Sequence, residues 1–243
     1  MDRLLEATAR AERDHFWFRG FRRFMEPLVA GVAKGRRLEI LDCGCGTGYN
    51  LQMLRKYGRA YGIDLTWAGL QYARKKGERK VARATVGALP MPDARFDLVT
   101  SFDVLYGLPD DVERAAIAEM VRVLKPGGWA IVNVAALPWL RGNHSVLGGE
   151  LRRYRRRELR SKLEAAGFRV RRSSYTNFSI LPMVAAVRAT QRLSGHEESD
   201  AEISVPATPI NSALSALLGL EAIALRAVNM PIGSSVMAVA QKL

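Results

Sequence analysis

Cysteine is nearly absent from these 243 residues: Cys43 and Cys45, one residue apart, are the only two. Thiols that close cannot tie distant segments together, which excludes a disulfide-stapled scaffold. No second Cys pair completes a tetrahedral site around Cys-x-Cys, so no metal is expected. Histidine is scarce as well, with three residues in the chain, which leaves few imidazoles for proton transfer. No apolar run reaches the roughly 18 to 20 residues that a spanning helix needs. The longest candidate, Ala213 to Val228, is broken by Glu221 and Arg226. The start, Met1-Asp2-Arg3-Leu4-Leu5-Glu6, lacks the apolar core of a signal peptide, so the expected location is cytoplasmic.

Charge is plentiful but lopsided. Lys and Arg number 37 against 24 Asp and Glu, a formal charge of +13, and only 8 of the 37 are Lys. The excess suits nucleic acid, an anionic membrane or an acidic substrate, yet an Arg-heavy skew also follows from a GC-rich coding bias. With 48% AVILMFWYC residues and 25% charged residues, disorder over most of the chain is excluded.

Short β-rich runs alternate with helical patterns, as in a parallel sheet built from βαβ units. The strands are expected at Leu38–Asp42, Ala60–Asp64, Val81–Val86, Asp97–Ser101, Trp129–Val134, Phe168–Tyr175 and Ser235–Gln241. Helices are expected at Tyr49–Tyr57, Trp67–Lys75, Asp110–Leu124 and Arg155–Ala166, with Lys125-Pro126-Gly127-Gly128 as a helix stop and turn. Two stretches fall outside the alternation. Residues 1–36 read as an aromatic, helical N-terminal cap, and about 177–229 as a helical insertion with an acidic loop at its middle.

The decisive stretch is Leu38-Glu39-Ile40-Leu41-Asp42-Cys43-Gly44-Cys45-Gly46-Thr47-Gly48-Tyr49. A strand, a glycine-rich turn and a helix start in that order place a ligand at the carboxyl end of the sheet. The spacing is not that of a dinucleotide loop, since Tyr49 stands where the third Gly belongs, and the P-loop lysine is missing. Asp42 repels a pyrophosphate and favours a cationic ligand. Asp64, ending the second strand, suits a ribose diol.

Here the chain resembles the class I S-adenosylmethionine-dependent methyltransferases of the small-molecule type 11/12 group. Their D-x-G-x-G-x-G motif is similar to Asp42, Gly44, Gly46 and Gly48, with Cys45 as filler. The stretch from Gly87 to Val99 resembles the family's D-A-x-x-L-P-F-x-x-x-x-F-D-x-V segment, with Gly87 where many members carry the adenine-binding Asp. Arg122-Val123-Leu124-Lys125-Pro126-Gly127-Gly128 matches its helix-to-strand turn. The resemblance implies an α/β fold, a Rossmann-like doubly wound seven-stranded sheet of order 3-2-1-4-5-7-6 with strand 7 antiparallel. It implies S-adenosyl-L-methionine as cofactor, held by the Asp42–Gly48 loop, Asp64, Leu65, Ala88, Leu89, Phe102 and Trp17.

The acceptor is expected beyond strands four and five. His144, Asp103 and Tyr106 are the catalytic candidates there, and Trp139, Asn143, Arg153 and Tyr154 the substrate-binding ones. From Arg141 to Arg172, ten Arg and Lys162 face three Glu, a surplus of eight. Its core, Arg152-Arg153-Tyr154-Arg155-Arg156-Arg157, reads either as a solvated helix face or as contact with an anionic acceptor, phospholipid or RNA. The main expectation is O-methylation of a small metabolite, with N or C as lesser targets. The rivals are an RNA methyltransferase and a non-catalytic cofactor-binding partner subunit. Nucleic acid is the weaker partner, because neither a cytosine-attacking Cys nor an N-P-P-Y motif follows strand four.

Overall fold

The computed structural model describes residues 2–141, 149–194 and 203–243. Seven strands form one sheet: β1 Leu38–Cys43, β2 Gly58–Asp64, β3 Val81–Arg83, β4 Phe96–Phe102, β5 Leu124–Ala135, β6 Phe168–Thr176 and β7 Ser235–Lys242. Their order is β3-β2-β1-β4-β5-β7-β6. Pairing is parallel from β3 across to β5, and β7 runs antiparallel to both β5 and β6. The expected order and the reversed last strand are both observed.

The central strands explain themselves. Strands β1 and β4 are buried along nearly their whole length, because helices cover both faces of a parallel sheet, and they read as apolar runs rather than alternations. The edge strand β3 has only Val81 buried and stops at Arg83, three residues short of the expectation, because the chain turns off toward α5. The Lys125–Gly128 segment is also displaced. It bulges within β5, where pairing with β4 jumps from Leu124 opposite Phe96 to Trp129 opposite Leu98. Gly127 supplies the positive φ of 71° that this bulge requires.

Around the sheet lie α1 Asp2–Ala11, α2 Phe16–Ala33, α3 Tyr49–Leu54, α4 Trp67–Lys75, α5 Asp110–Val123, α6 Arg156–Ala165, α7 Leu181–Ser194 and α8 Thr208–Ala224. Helix α2 starts at His15, whose Nδ1 accepts from the Trp17 N–H at 3.1 Å. It packs along α8, where the Asn211 side chain accepts from the Phe16 N–H and donates to the Asp14 carbonyl. Helix α2 and the second helix of the late insertion therefore lie together. The acidic loop at about 195–202 falls outside the described residues.

Candidate cofactor and acceptor site

The turn after β1 is glycine-rich for steric reasons. Gly44, Gly46 and Gly48 all have positive φ, at 85°, 50° and 77°. A Cβ on Gly44 would lie 2.2 Å from Val104, and one on Gly48 would lie 2.7 Å from Ala73. A Cβ on Gly46 would meet nothing within 4 Å. Two of the glycines let the protein close on itself, while the middle one faces open space.

Two carboxylates flank that opening. Asp42 is 1% exposed and accepts from the Thr100 hydroxyl at 2.7 Å. Burial, reinforced by the charge of Asp64, pushes its carboxyl up to about 7 despite that hydrogen bond. Asp64 accepts from the Gly46 N–H at 2.7 Å and from the Thr66 N–H at 2.8 Å, so it binds the β1 and β2 loops to each other. Among the described residues, no cation forms an ion pair with either. In a chain of charge +13, this is an acidic hollow with no counter-ion among the described residues.

The N-terminal segment holds the loop from outside. Glu12, 4% exposed, accepts from the Thr47 hydroxyl and from the Lys76 ammonium, and Lys76 also donates to the Thr47 carbonyl. The aromatic run behind it places Phe21 edge-to-face on Phe102 at 5.2 Å. Trp17 is half-buried near the start of α2. Burial pulls the His15 imidazole below its usual range, which favours the neutral acceptor seen at the helix cap.

Beyond β4, Asp103 has a φ of 60°, the left-handed region that Asp tolerates better than most side chains. Its N–H donates to the Asn133 carbonyl, and its carboxylate accepts from the Asn133 amide at 2.9 Å. Asp103 is open to solvent yet closely surrounded by protein, as befits a cleft floor. Desolvation by that surrounding protein pushes its carboxyl up to about 7, against the hydrogen bond from Asn133. Tyr106 is half-buried; desolvation, then the charges of Asp103 and Glu150, hold its hydroxyl protonated well above the usual range. Val104 touches Gly44, so the acceptor candidates adjoin the cofactor loop.

Asn133 was not anticipated. It is 2% exposed, and its side-chain oxygen has no hydrogen-bond partner among the described residues. The available signal was one amide inside the apolar run Ala130-Ile131-Val132-Asn133-Val134.

Other expectations shift. Leu65 follows Asp64 and is 62% exposed. The Leu89 N–H, expected to read adenine, donates instead to Glu119 at 2.6 Å, and the Ala88 N–H donates to the Thr85 carbonyl. Counted back from Leu89-Pro90, the first position of D-A-x-x-L-P falls on Thr85 rather than Gly87, and the Thr85 hydroxyl accepts from the Gly87 N–H. Tyr154 is fully buried, and its hydroxyl donates to Glu113 at 2.7 Å, so it serves packing rather than acceptor contact. Arg153 is turned onto Glu150 and the Ala136 carbonyl. Trp139 is half exposed after β5. His144 and Asn143 lie outside the described residues.

Residues 41–132, from β1 to β5, match the family described as a methyltransferase domain. This stretch is thus similar to a methyltransferase domain. A probable S-adenosylmethionine-dependent methyltransferase of Mycolicibacterium smegmatis is 30% identical over 161 residues, 65% of this chain and 61% of that protein. A malonyl-[acyl-carrier protein] O-methyltransferase of Serratia marcescens is 35% identical over 100 residues, 40% of this chain and 38% of that one. The chain thus spans between about two fifths and three fifths of these relatives. Among solved structures, an S-adenosylmethionine-dependent methyltransferase of Archaeoglobus fulgidus superposes with a TM-score of 0.62 over 92% of this chain and 94% of its own, at 15% identity.

The cofactor that the methyltransferase domain implies is S-adenosylmethionine, and the residues present fit it. A buried carboxylate without a cation, an open face over Gly46 and a second carboxylate on the adjoining strand suit a ligand with a cationic amino-acid end and a ribose diol.

Proposed function

We propose that this protein is a cytoplasmic enzyme that methylates a small molecule, most readily at oxygen, from S-adenosylmethionine. The observation carrying this reading is the open face of Gly46 between Asp42 and Asp64, neither in an ion pair among the described residues. When bound, the cofactor supplies a methyl group already activated by its sulfonium. The chain's own residues then orient, shield and handle a proton.

Asp42 would hold the cationic end and Asp64 the ribose, with Leu65, Phe102 and Trp17 as apolar contacts. Asp103, poised near neutrality by its surroundings, is suited to accept a proton from a hydroxyl acceptor. Tyr106, held protonated, is suited to donate a hydrogen bond to it. Trp139 and Arg153 remain the candidates for flanking the acceptor.

Calorimetric titration with S-adenosylmethionine tests the cofactor site. Asp64→Ala is expected to abolish or greatly weaken binding, and unchanged affinity would sink the assignment. A screen of candidate acceptors with labelled donor then identifies the substrate. Asp103→Asn is expected to retain cofactor binding but lose turnover.

A further inference from the structure

Helix α8 turns an unusual face to solvent. Its exposed side includes Ile210, Leu217, Leu220 and Ile223, at 57%, 39%, 66% and 62% exposure, and Val228 just beyond the helix is 54% exposed. None of the exposed residues of α8 carries a charge. Glu221, its one ionisable residue, is buried and accepts from the Phe178 and Ser179 N–H groups. An uncharged, apolar face this long marks a contact surface rather than ordinary scatter.

Beside it, α2 and α8 enclose a groove of about 1080 Å³ that includes Leu220, Ile223 and Tyr57. The groove is rimmed by Arg23, Arg172 and Arg226. Arg23 donates to the Ser215 carbonyl, and Arg172 to the carbonyls of Leu225 and Val228, so neutral groups orient both guanidiniums, and among the described residues neither forms an ion pair. Among the described residues, the one carboxylate in the groove is Glu26, paired with Lys56 at 2.7 Å. Helix α2 then runs out into Lys34-Gly35-Arg36-Arg37, all exposed.

We propose that this face is a peripheral docking surface for an anionic lipid bilayer. The α8 side chains enter the acyl boundary, while the Arg23, Arg172 and Arg226 rim and the Lys34–Arg37 turn meet phosphate headgroups. Charge decides the occupant. A second copy placed on the same patch would bring two like-charged arginine rims together, whereas an anionic surface complements them. Binding here leaves the glycine loop and Asp103 to the methyl-transfer reading, which the proposal does not require.

The test is flotation of the full chain with vesicles of phosphatidylcholine alone or with 30% phosphatidylglycerol added, at low and high salt. Binding is expected to the anionic vesicles and to weaken with salt. Leu220→Asp/Ile223→Asp is expected to abolish it with an unchanged circular-dichroism spectrum and unchanged S-adenosylmethionine affinity. Arg226→Ala is expected to lower partitioning roughly fivefold, one unit of surface charge. Three results would overturn the proposal. One is no binding to anionic vesicles at low salt. Another is loss on Arg155→Glu/Arg157→Glu but not on the α8 substitutions, and the third a dimer in sedimentation velocity that the α8 substitutions dissolve.

Discussion

Asp42, near the end of a central strand, has a hydroxyl for a partner and no cation among the described residues, and its titration carries a sign that can be read in stability. Burial raises its folded value to about 7, above the ordinary 3.8, so the folded chain holds that proton more tightly than the unfolded one. The resulting stabilisation is present below pH 4 and is lost as pH rises through 7. Asp42→Asn is therefore expected to melt at a higher temperature than the parent at pH 8, with the gap closing toward pH 4; an equal gap at both would contradict the assignment. The same substitution should weaken S-adenosylmethionine, because the amide offers a cationic end no charge. Asp42, the three glycines and Asp64 were legible in the sequence because strand, turn and spacing are local. Asn133 and Glu12 were not, because one matters through Asp103, thirty positions away, and the other through Thr47 and Lys76.

At the scale of elements, the basic run after β5 is the clearest case of a pattern reassigned by packing. Arg152 reaches the buried Glu113 and the exposed Asp110, Lys162 from α6 reaches Glu113 at 2.8 Å, and Tyr154 completes the set. Much of what read as one basic flank is thus a brace between α5, α6 and the segment over the cleft, while Arg155 and Arg157 stay exposed. Glu113 lies 39 positions before Arg152, beyond the reach of any local reading. Because its removal leaves the Lys162 ammonium and the buried Tyr154 hydroxyl without this acceptor, while Arg152 keeps Asp110, Glu113→Ala is expected to cost about 1–3 kcal/mol in urea denaturation. Arg157→Ala should stay within about 0.5 kcal/mol of the parent. The elements themselves were largely legible, since buried parallel strands read as short apolar runs and the segments between them keep a helical period. The β5 bulge was not, because Lys-Pro-Gly-Gly reads locally as a turn while the ladder resumes beyond it.

For the molecule as a whole, the N-terminal helices and the insertion act as one cover. Asn211 clips Phe16 and Asp14, Arg23 holds the Ser215 carbonyl, and Glu12 in turn grips the glycine loop. Glu12→Ala is expected to weaken S-adenosylmethionine roughly tenfold, the scale of one charged hydrogen bond lost. It should also speed hydrogen exchange at the amides of residues 44–48; unchanged exchange there would separate the cover from the loop. The Phe16–Asn211 bond also has a consequence in time, since it spans 195 positions. At about 5–20 residues per second, a ribosome takes roughly 10–40 s to deliver the second partner after the first. For that interval the Phe16 N–H at the start of α2 is without the acceptor it has in the folded chain.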